Sequence, residues 1–248
     1  MARRLQNTTE PPKWDELDEE TQKRFTQDGD IELIHWYFKD EAETVKHYDA
    51  QHVEYFLQGI KRRQTGGYGL TDYYLYQALD AYPVKGMDVA IIGSCQPWYE
   101  AVCLEYGGWP STIEYNKLTT NDSRLSLHTV EEFKNSPRKF KAAFSISSFE
   151  HDGLGRFGDP INPDGDLEAM KEVRETMLEP GGLLYLSVPN GVDKVCFNAH
   201  RIYGNKRFYK LIEGFEIVDY YPKNFKEMLE VDTGSECPQP VVVLRNKG

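Results

Sequence analysis

Glu150, His151 and Asp152 stand in succession at the end of an apolar run, and Asp159, Asp164 and Asp166 follow around one cation, Arg156. A histidine between two carboxyl groups has the parts of a proton-transfer site, because imidazole titrates near neutral pH and can take a proton from a hydroxyl. His151 is therefore expected as a general base, with Asp152 or Glu150 orienting its ring, and a helix-capping or packing histidine is the alternative. His200, between Ser187-Val188-Pro189-Asn190-Gly191 and Arg201-Ile202-Tyr203, is the second candidate. Carboxylates accept hydrogen bonds from sugar hydroxyls and a guanidinium donates to them. Glu150, Arg156, Asp159 and Asp166 are thus expected to line a site for a polyhydroxylated acceptor, a sugar or glycan. Cationic amines and small polar metabolites fit the same charge pattern, and a solvated acidic loop is the reading without a ligand.

The elements around this loop decide between those readings. Phe140, Ala142, Phe144 and Ile146 alternate as in a buried strand, and Glu, His, Asp and glycines mark its carboxyl end. In open α/β sheets, ligands bind beyond that end. From Met87 onward, strands are expected over Met87–Ile92, Ser111–Tyr115, Leu125–Leu127, Phe140–Ser147, Leu183–Val188, Phe215–Tyr220 and Val241–Leu244. Helices are expected over Trp98–Tyr106, Asp166–Leu178 and Asn205–Glu213. Repeated β-α units imply a parallel sheet with helices on both faces, and the late pair of strands an antiparallel end. Upstream, Ile34, Tyr37, Phe38, Val45, Tyr48, Val53, Phe56, Leu57 and Ile60 approximate helical periodicity over two segments, and Gly66-Gly67-Tyr68-Gly69 precedes a further helix over Leu70–Ala81.

Gly93 closes an apolar strand and precedes a helix, where backbone N–H groups and the helix dipole can receive a carboxylate or phosphate. Glu114 ends the following strand, twenty-one residues on, where a carboxylate can accept both hydroxyl protons of a ribose. Gly93 and Glu114, followed by the loop at Ser147–His151, point to an adenosine-containing ligand.

On these residues the chain resembles the class I S-adenosylmethionine-dependent methyltransferases, over about Tyr68 to Lys247. Val89-Ala90-Ile91-Ile92-Gly93-Ser94-Cys95 takes the place of the first glycine motif, and Ile113-Glu114-Tyr115 that of the ribose-binding strand end. Ser147-Ser148-Phe149-Glu150-His151 is similar to the sequence closing the fourth strand, and Leu178-Glu179-Pro180-Gly181-Gly182-Leu183-Leu184 to the turn before the fifth. More narrowly, Phe149 to Pro160 with Pro163-Asp164-Gly165-Asp166 resembles a family of unknown function first described in nematode sequences.

The resemblance implies a Rossmann-like, mostly parallel sheet of seven strands with the last antiparallel, and S-adenosylmethionine as methyl donor, leaving as S-adenosylhomocysteine. Gly93, Ser94, Gln96, Glu114, Tyr115 and Ser147 are the cofactor-binding residues it implies, and His151, Asp152 and His200 the catalytic ones. Cys95 and Pro97 stand where small residues are usual, so either Gln96 or Ser94 supplies hydrogen bonds on a differently shaped turn, or the fold serves as a non-catalytic binding module. Glu150, His151 and His200 also match a metal-assisted methyltransferase pattern, and the aspartates offer magnesium ligands. O-methylation of a sugar-like acceptor, N-methylation of an amine and ligand binding without catalysis remain open. The expected organisation is a flexible acidic arm over 1–30, an N-terminal helical extension over 31–82 and a Rossmann-like methyltransferase domain over 83–248.

A net charge of −11 and a pI near 5.1 argue against tracking a nucleic-acid backbone, and Lys61-Arg62-Arg63 reads as a solvated face. No apolar run suggests a membrane span, and Met1-Ala2-Arg3-Arg4 leads into polar sequence, so a soluble cytoplasmic protein is expected. Cys95, Cys103, Cys196 and Cys237 show no CxxC pattern and are expected as free thiols. Composition leaves the oligomeric state open.

Overall fold

Runs that are apolar on both sides become the inner strands of a sheet covered on both faces. The computed structural model describes residues 10–38, 45–234 and 238–248. Its elements begin with α1 (Glu19–Thr26), β1 (Glu32–His35), β2 (Lys46–Tyr48), α2 (Ala50–Lys61) and α3 (Leu70–Ala81). There follow β3 (Asp88–Ile92), α4 (Trp98–Glu105), β4 (Trp109–Glu114), β5 (Leu118–Thr120), β6 (Ser126–Thr129), α5 (Val130–Asn135) and β7 (Phe140–Ile146). The remainder is α6 (Gly165–Glu172), β8 (Leu178–Ser187), β9 (Lys194–Phe197), β10 (His200–Ile202), α7 (Arg207–Leu211), β11 (Phe215–Tyr221), α8 (Phe225–Met228) and β12 (Val241–Asn246).

Seven strands form one sheet in the order β11-β12-β8-β7-β3-β4-β6. The pairs β3–β4, β3–β7, β4–β6 and β7–β8 are parallel, and β12 runs antiparallel to both β8 and β11. This is the expected sheet. Leu57, Leu75, Trp98 and Val102, from α2, α3 and α4, pack on one face; Phe133, Met170, Phe208 and Phe225, from α5 to α8, pack on the other. The strand order reverses between β3 and β7, which opens a crevice at their carboxyl ends.

Upstream of β3 the structure departs from the periodicity. The segment expected to start a helix at Ile31 is instead β1, paired in parallel with β9, and β2 pairs in parallel with β5. Among the described residues of 31–63, helix is confined to α2, which starts where the Asp49 carboxylate accepts from the Gln51 amide. Three- and four-residue spacings in a short run fit either state, and here strand partners far along the chain decide. Within the region expected as an arm, residues 10–30 carry α1, capped by Asp18, and bury Phe25 against Leu154, Val195 and Phe197. The Met1–Arg4 start lies outside the described residues. The expected helix over Asp166–Leu178 is α6 continued by a single π-turn, Val173–Met177.

Among the described residues, Cys95, Cys103 and Cys196 form no disulfide, and Cys237 lies outside them. Lys61, Arg62 and Arg63 are exposed, and Arg63 pairs with Asp80 at 2.9 Å. Among the described residues, no helix is long and apolar enough to cross a membrane.

Candidate active site

The turn after β3 is built on one glycine. Gly93 has φ +73°, and a Cβ there would lie 2.2 Å from Ser148 Oγ, so the loops after β3 and β7 meet in contact where the strand order reverses. Ser94 faces inward: the Tyr48 hydroxyl reaches its carbonyl at 2.9 Å and its Oγ at 3.1 Å, and that Oγ donates to the Gln96 carbonyl at 3.0 Å. Ser94 therefore shapes the turn with its side chain, while Cys95 and Gln96 are exposed. Below it, Glu100 is fully buried in the first turn of α4, accepts from the Thr112 hydroxyl at 2.6 Å, and leaves Oε2 without a partner. Burial raises its pKa to about 7.

Glu114 is half-buried at the tip of β4, where its carboxylate accepts from the Asn116 amide at 3.3 Å. Tyr115 follows; burial pushes its phenol up, and the nearby charges of Asp152 and Asp159 push the same way.

In the loop after β7 Ser147 adopts φ +56°, a left-handed conformation rare for a residue with a Cβ and frequent at functional sites. Its hydroxyl donates to Glu150 Oε1 at 2.5 Å and accepts from Gln239 Nε2 at 3.3 Å. Glu150 is fully buried, its Oε2 has no partner, and burial raises its pKa to about 7. Tyr68 faces the same group: burial raises its phenol, the hydrogen bond with Ser147 opposes this, and the charge of Glu150 adds to it.

His151 lies between Glu150 and β10. Its Nδ1 is 2.7 Å from the Ala199 carbonyl, which can only accept, so Nδ1 carries the proton and Nε2 is left as an acceptor. Nε2 is 3.7 Å from Glu150 Oε1. A backbone carbonyl thus orients the ring, in the place expected for Asp152 or Glu150. Burial lowers the imidazole pKa to about 4, so the ring is neutral at pH 7. The Asp152 carboxyl is pushed well above its usual range by burial and by Asp159, and its backbone carbonyl accepts from Arg201 at 2.6 Å. His200 stands 6.5 Å from His151 between ring centroids and 5.6 Å from Trp36; burial and the neighbouring His151 lower its pKa to about 4.

Two carboxylates expected to meet substrate are used inside the protein. Asp159 accepts from the amides of Gly153 at 2.7 Å, Gly155 at 3.1 Å and Phe157 at 3.3 Å, and so ties the loop to itself. Asp166 has no exposed surface: Arg207 grips it through Nε at 2.8 Å and Nη2 at 2.5 Å, and the Tyr203 hydroxyl donates at 2.9 Å. Burial alone would raise Asp166, but Arg201, Arg207 and Tyr203 outweigh it and hold the carboxyl low. Arg156 lies over the rings of Phe38 at 4.6 Å and Phe157 at 5.0 Å. Glu150, His151 and His200 do not make a metal set: His151 points Nδ1 at a carbonyl and Glu150 turns to Ser147. Among the described residues, no group of three or more His, Cys, Asp or Glu side chains could hold a metal ion.

Tyr48, Glu100 and Gln239 contact the residues of these loops without standing out in the sequence as site residues. Ser148 lies inside the motif that closes the fourth strand, and Tyr68 carried a weaker signal, an aromatic residue among Gly66, Gly67 and Gly69.

A sheet ordered β11-β12-β8-β7-β3-β4-β6 with antiparallel β12 is the class I methyltransferase fold. The chain belongs to the family described as "Caenorhabditis protein of unknown function, DUF268", whose model matches residues 86–240. Among solved structures it is similar to the Burkholderia thailandensis 1,6-didemethyltoxoflavin-N1-methyltransferase, with 16% identity and a TM-score of 0.51 over 69% of this chain and 76% of that one. That structure contains 1,6-didemethyltoxoflavin and S-adenosylhomocysteine. A TehB-like SAM-dependent methyltransferase from Corynebacterium glutamicum is 15% identical, with a TM-score of 0.44 over 80% of this chain and 99% of that one. No curated protein matches the sequence.

Proposed function

We propose that this protein is an S-adenosylmethionine-dependent methyltransferase acting on a hydroxyl of a sugar-like acceptor. The observation that carries the reading is the contact of Gly93 with Ser148 where the strand order reverses, with Glu114 at the tip of the next strand. Glu114 suits the two hydroxyls of a ribose. A cationic donor held close by is compatible with Glu150, whose fully buried carboxyl has one unpartnered oxygen and titrates at about 7, since a nearby positive charge favours its charged form.

The donor supplies an electrophilic methyl group whose thioether departs neutral, which leaves the protein two tasks, alignment and proton removal. Alignment contributes about 7–11 kcal/mol where two reactants are well oriented, and a general base about 10²–10⁴ in rate. His151 meets the geometric requirement for the base: Nδ1 is anchored on Ala199 and Nε2 can accept. Glu150, 3.7 Å from that nitrogen, can share the proton taken.

Transfer of a labelled methyl group from the donor to a panel of sugar hydroxyls and primary amines tests the assignment. Label in the hydroxyl acceptors, abolished with His151→Asn, is the expected result; label in amines alone would contradict the hydroxyl acceptor.

A further inference from the structure

Trp36 and Phe38 lie just beyond the end of β1 and are large aromatics left 37% and 38% exposed. Their backbone is nonetheless held firmly. The Trp36 amide donates to the Phe197 carbonyl at 2.8 Å, extending the pairing of β1 with β9. Asn198 grips Phe38 at both ends, accepting from its amide at 2.8 Å and donating to its carbonyl at 2.9 Å. In an extended segment, residues two apart share a side, and the two rings meet edge to face at 5.8 Å. Trp36 also meets His200 edge to face, and His200 meets His151 at 6.5 Å. Arg156 covers both Phe38 and Phe157, and Phe157 packs edge-on against His151 at 5.4 Å. A continuous aromatic surface therefore runs from the proposed base outward to Trp36 and Phe38.

Aromatic rings carried on a pinned backbone and left partly open to water beside a reactive group have the form of a binding platform: large contact area at little cost in side-chain entropy. We propose that Trp36 and Phe38 form the acceptor platform, stacking the flat apolar face of a ring whose rim hydroxyl is presented to His151, with Asn198 as the positioning residue. The inference rests on the methyltransferase reading. A pyranose with axial C–H groups and a phenol share the required chemistry of one apolar face and a rim hydroxyl.

Saturation-transfer NMR on the full chain with S-adenosylhomocysteine present tests it, using methyl glucoside, galactoside and mannoside in one arm and catechol in the other. The expected result is transfer to the ring C–H protons of at least one pyranoside, lost with Trp36→Ala and retained with Trp36→Phe. Transfer to catechol alone, with the same dependence on Trp36, keeps the platform and assigns it a phenolic ring. Trp36→Ala should also raise KM about tenfold or more, corresponding to about 1.4 kcal/mol, with kcat and S-adenosylhomocysteine affinity little changed. Should Trp36→Ala not fold, quenching of indole fluorescence by the same probes, compared between wild type and Trp36→Phe, gives the same test. Binding unaffected by Trp36→Ala, or no binding by any probe while S-adenosylhomocysteine binds, would overturn the platform. Failure of wild type to bind S-adenosylhomocysteine would instead count against the methyltransferase reading.

Discussion

Gly93 and Ser148 lie in contact across the crevice, with no room for even a methyl group between them: a Cβ on Gly93 would fall 2.2 Å from Ser148 Oγ and 2.6 Å from its Cβ. Gly93 also has φ +73°, which an L-residue adopts only under strain. Gly93→Ala should therefore cost about 1–3 kcal/mol of stability and abolish cofactor binding. Ser148→Gly removes the obstructing atoms but not the backbone strain, so the double variant should recover part of the loss. A double-mutant cycle in urea denaturation measures the coupling, and strict additivity would contradict the contact.

Asp166 is predicted to act on stability, not on substrate affinity. Replacing Arg207 with Ala removes its closest cationic partner and leaves a buried carboxylate under-compensated, a change that costs about 3–5 kcal/mol in buried pairs. The pair is at 2.5 Å with both side chains buried. Chemical denaturation should show the loss, and KM of the remaining folded enzyme should stay near that of wild type.

The strands of the sheet were readable in the sequence because β3, β7, β8 and β12 are apolar runs bounded by Gly, Pro and polar residues. Gly93, Glu114 and the Ser147–His151 segment were readable for the same reason, since strand ends fix their place. The pairing of β1 with β9 was not, because Glu32-Leu33-Ile34-His35 has no clear alternation and its partner begins at Lys194. Nor was the fate of Asp159 and Asp166. An aspartate in a loop looks alike whether it faces a sugar or the protein, and for Asp166 the decision lies with Arg207, 41 residues downstream.

Glu100 gives a pH signature. Its carboxyl is raised to about 7 in the folded protein, against a usual value of 4.5, so the folded state binds more protons across that window. Stability from this group is complete below 4.5, falls as pH rises, and is lost above about 7. Glu100→Gln keeps the acceptor for Thr112 without the charge. It should match wild type at pH 4 and exceed it by about 3 kcal/mol at pH 8, as measured by denaturation at the two pH values.

His151→Asn should lower kcat by about 10²–10⁴ while S-adenosylhomocysteine affinity changes little. Because the imidazole titrates at about 4, the base is already deprotonated at pH 6, and kcat should show no limb near pH 6.5 from this residue. Single-turnover rates from pH 5 to 8 check both statements.

Calorimetric titration with S-adenosylhomocysteine, repeated with Glu114→Ala, tests the central claim most directly. Loss of a hydrogen bond to a charged group is worth about 1.5–3 kcal/mol, so the variant should bind roughly 10–150-fold more weakly. Saturable binding with that loss is the predicted result. Absence of binding by wild type, or equal affinity in the two proteins, would contradict the assignment of the crevice at the carboxyl ends of β3 and β7, flanked by the tip of β4, as the cofactor site.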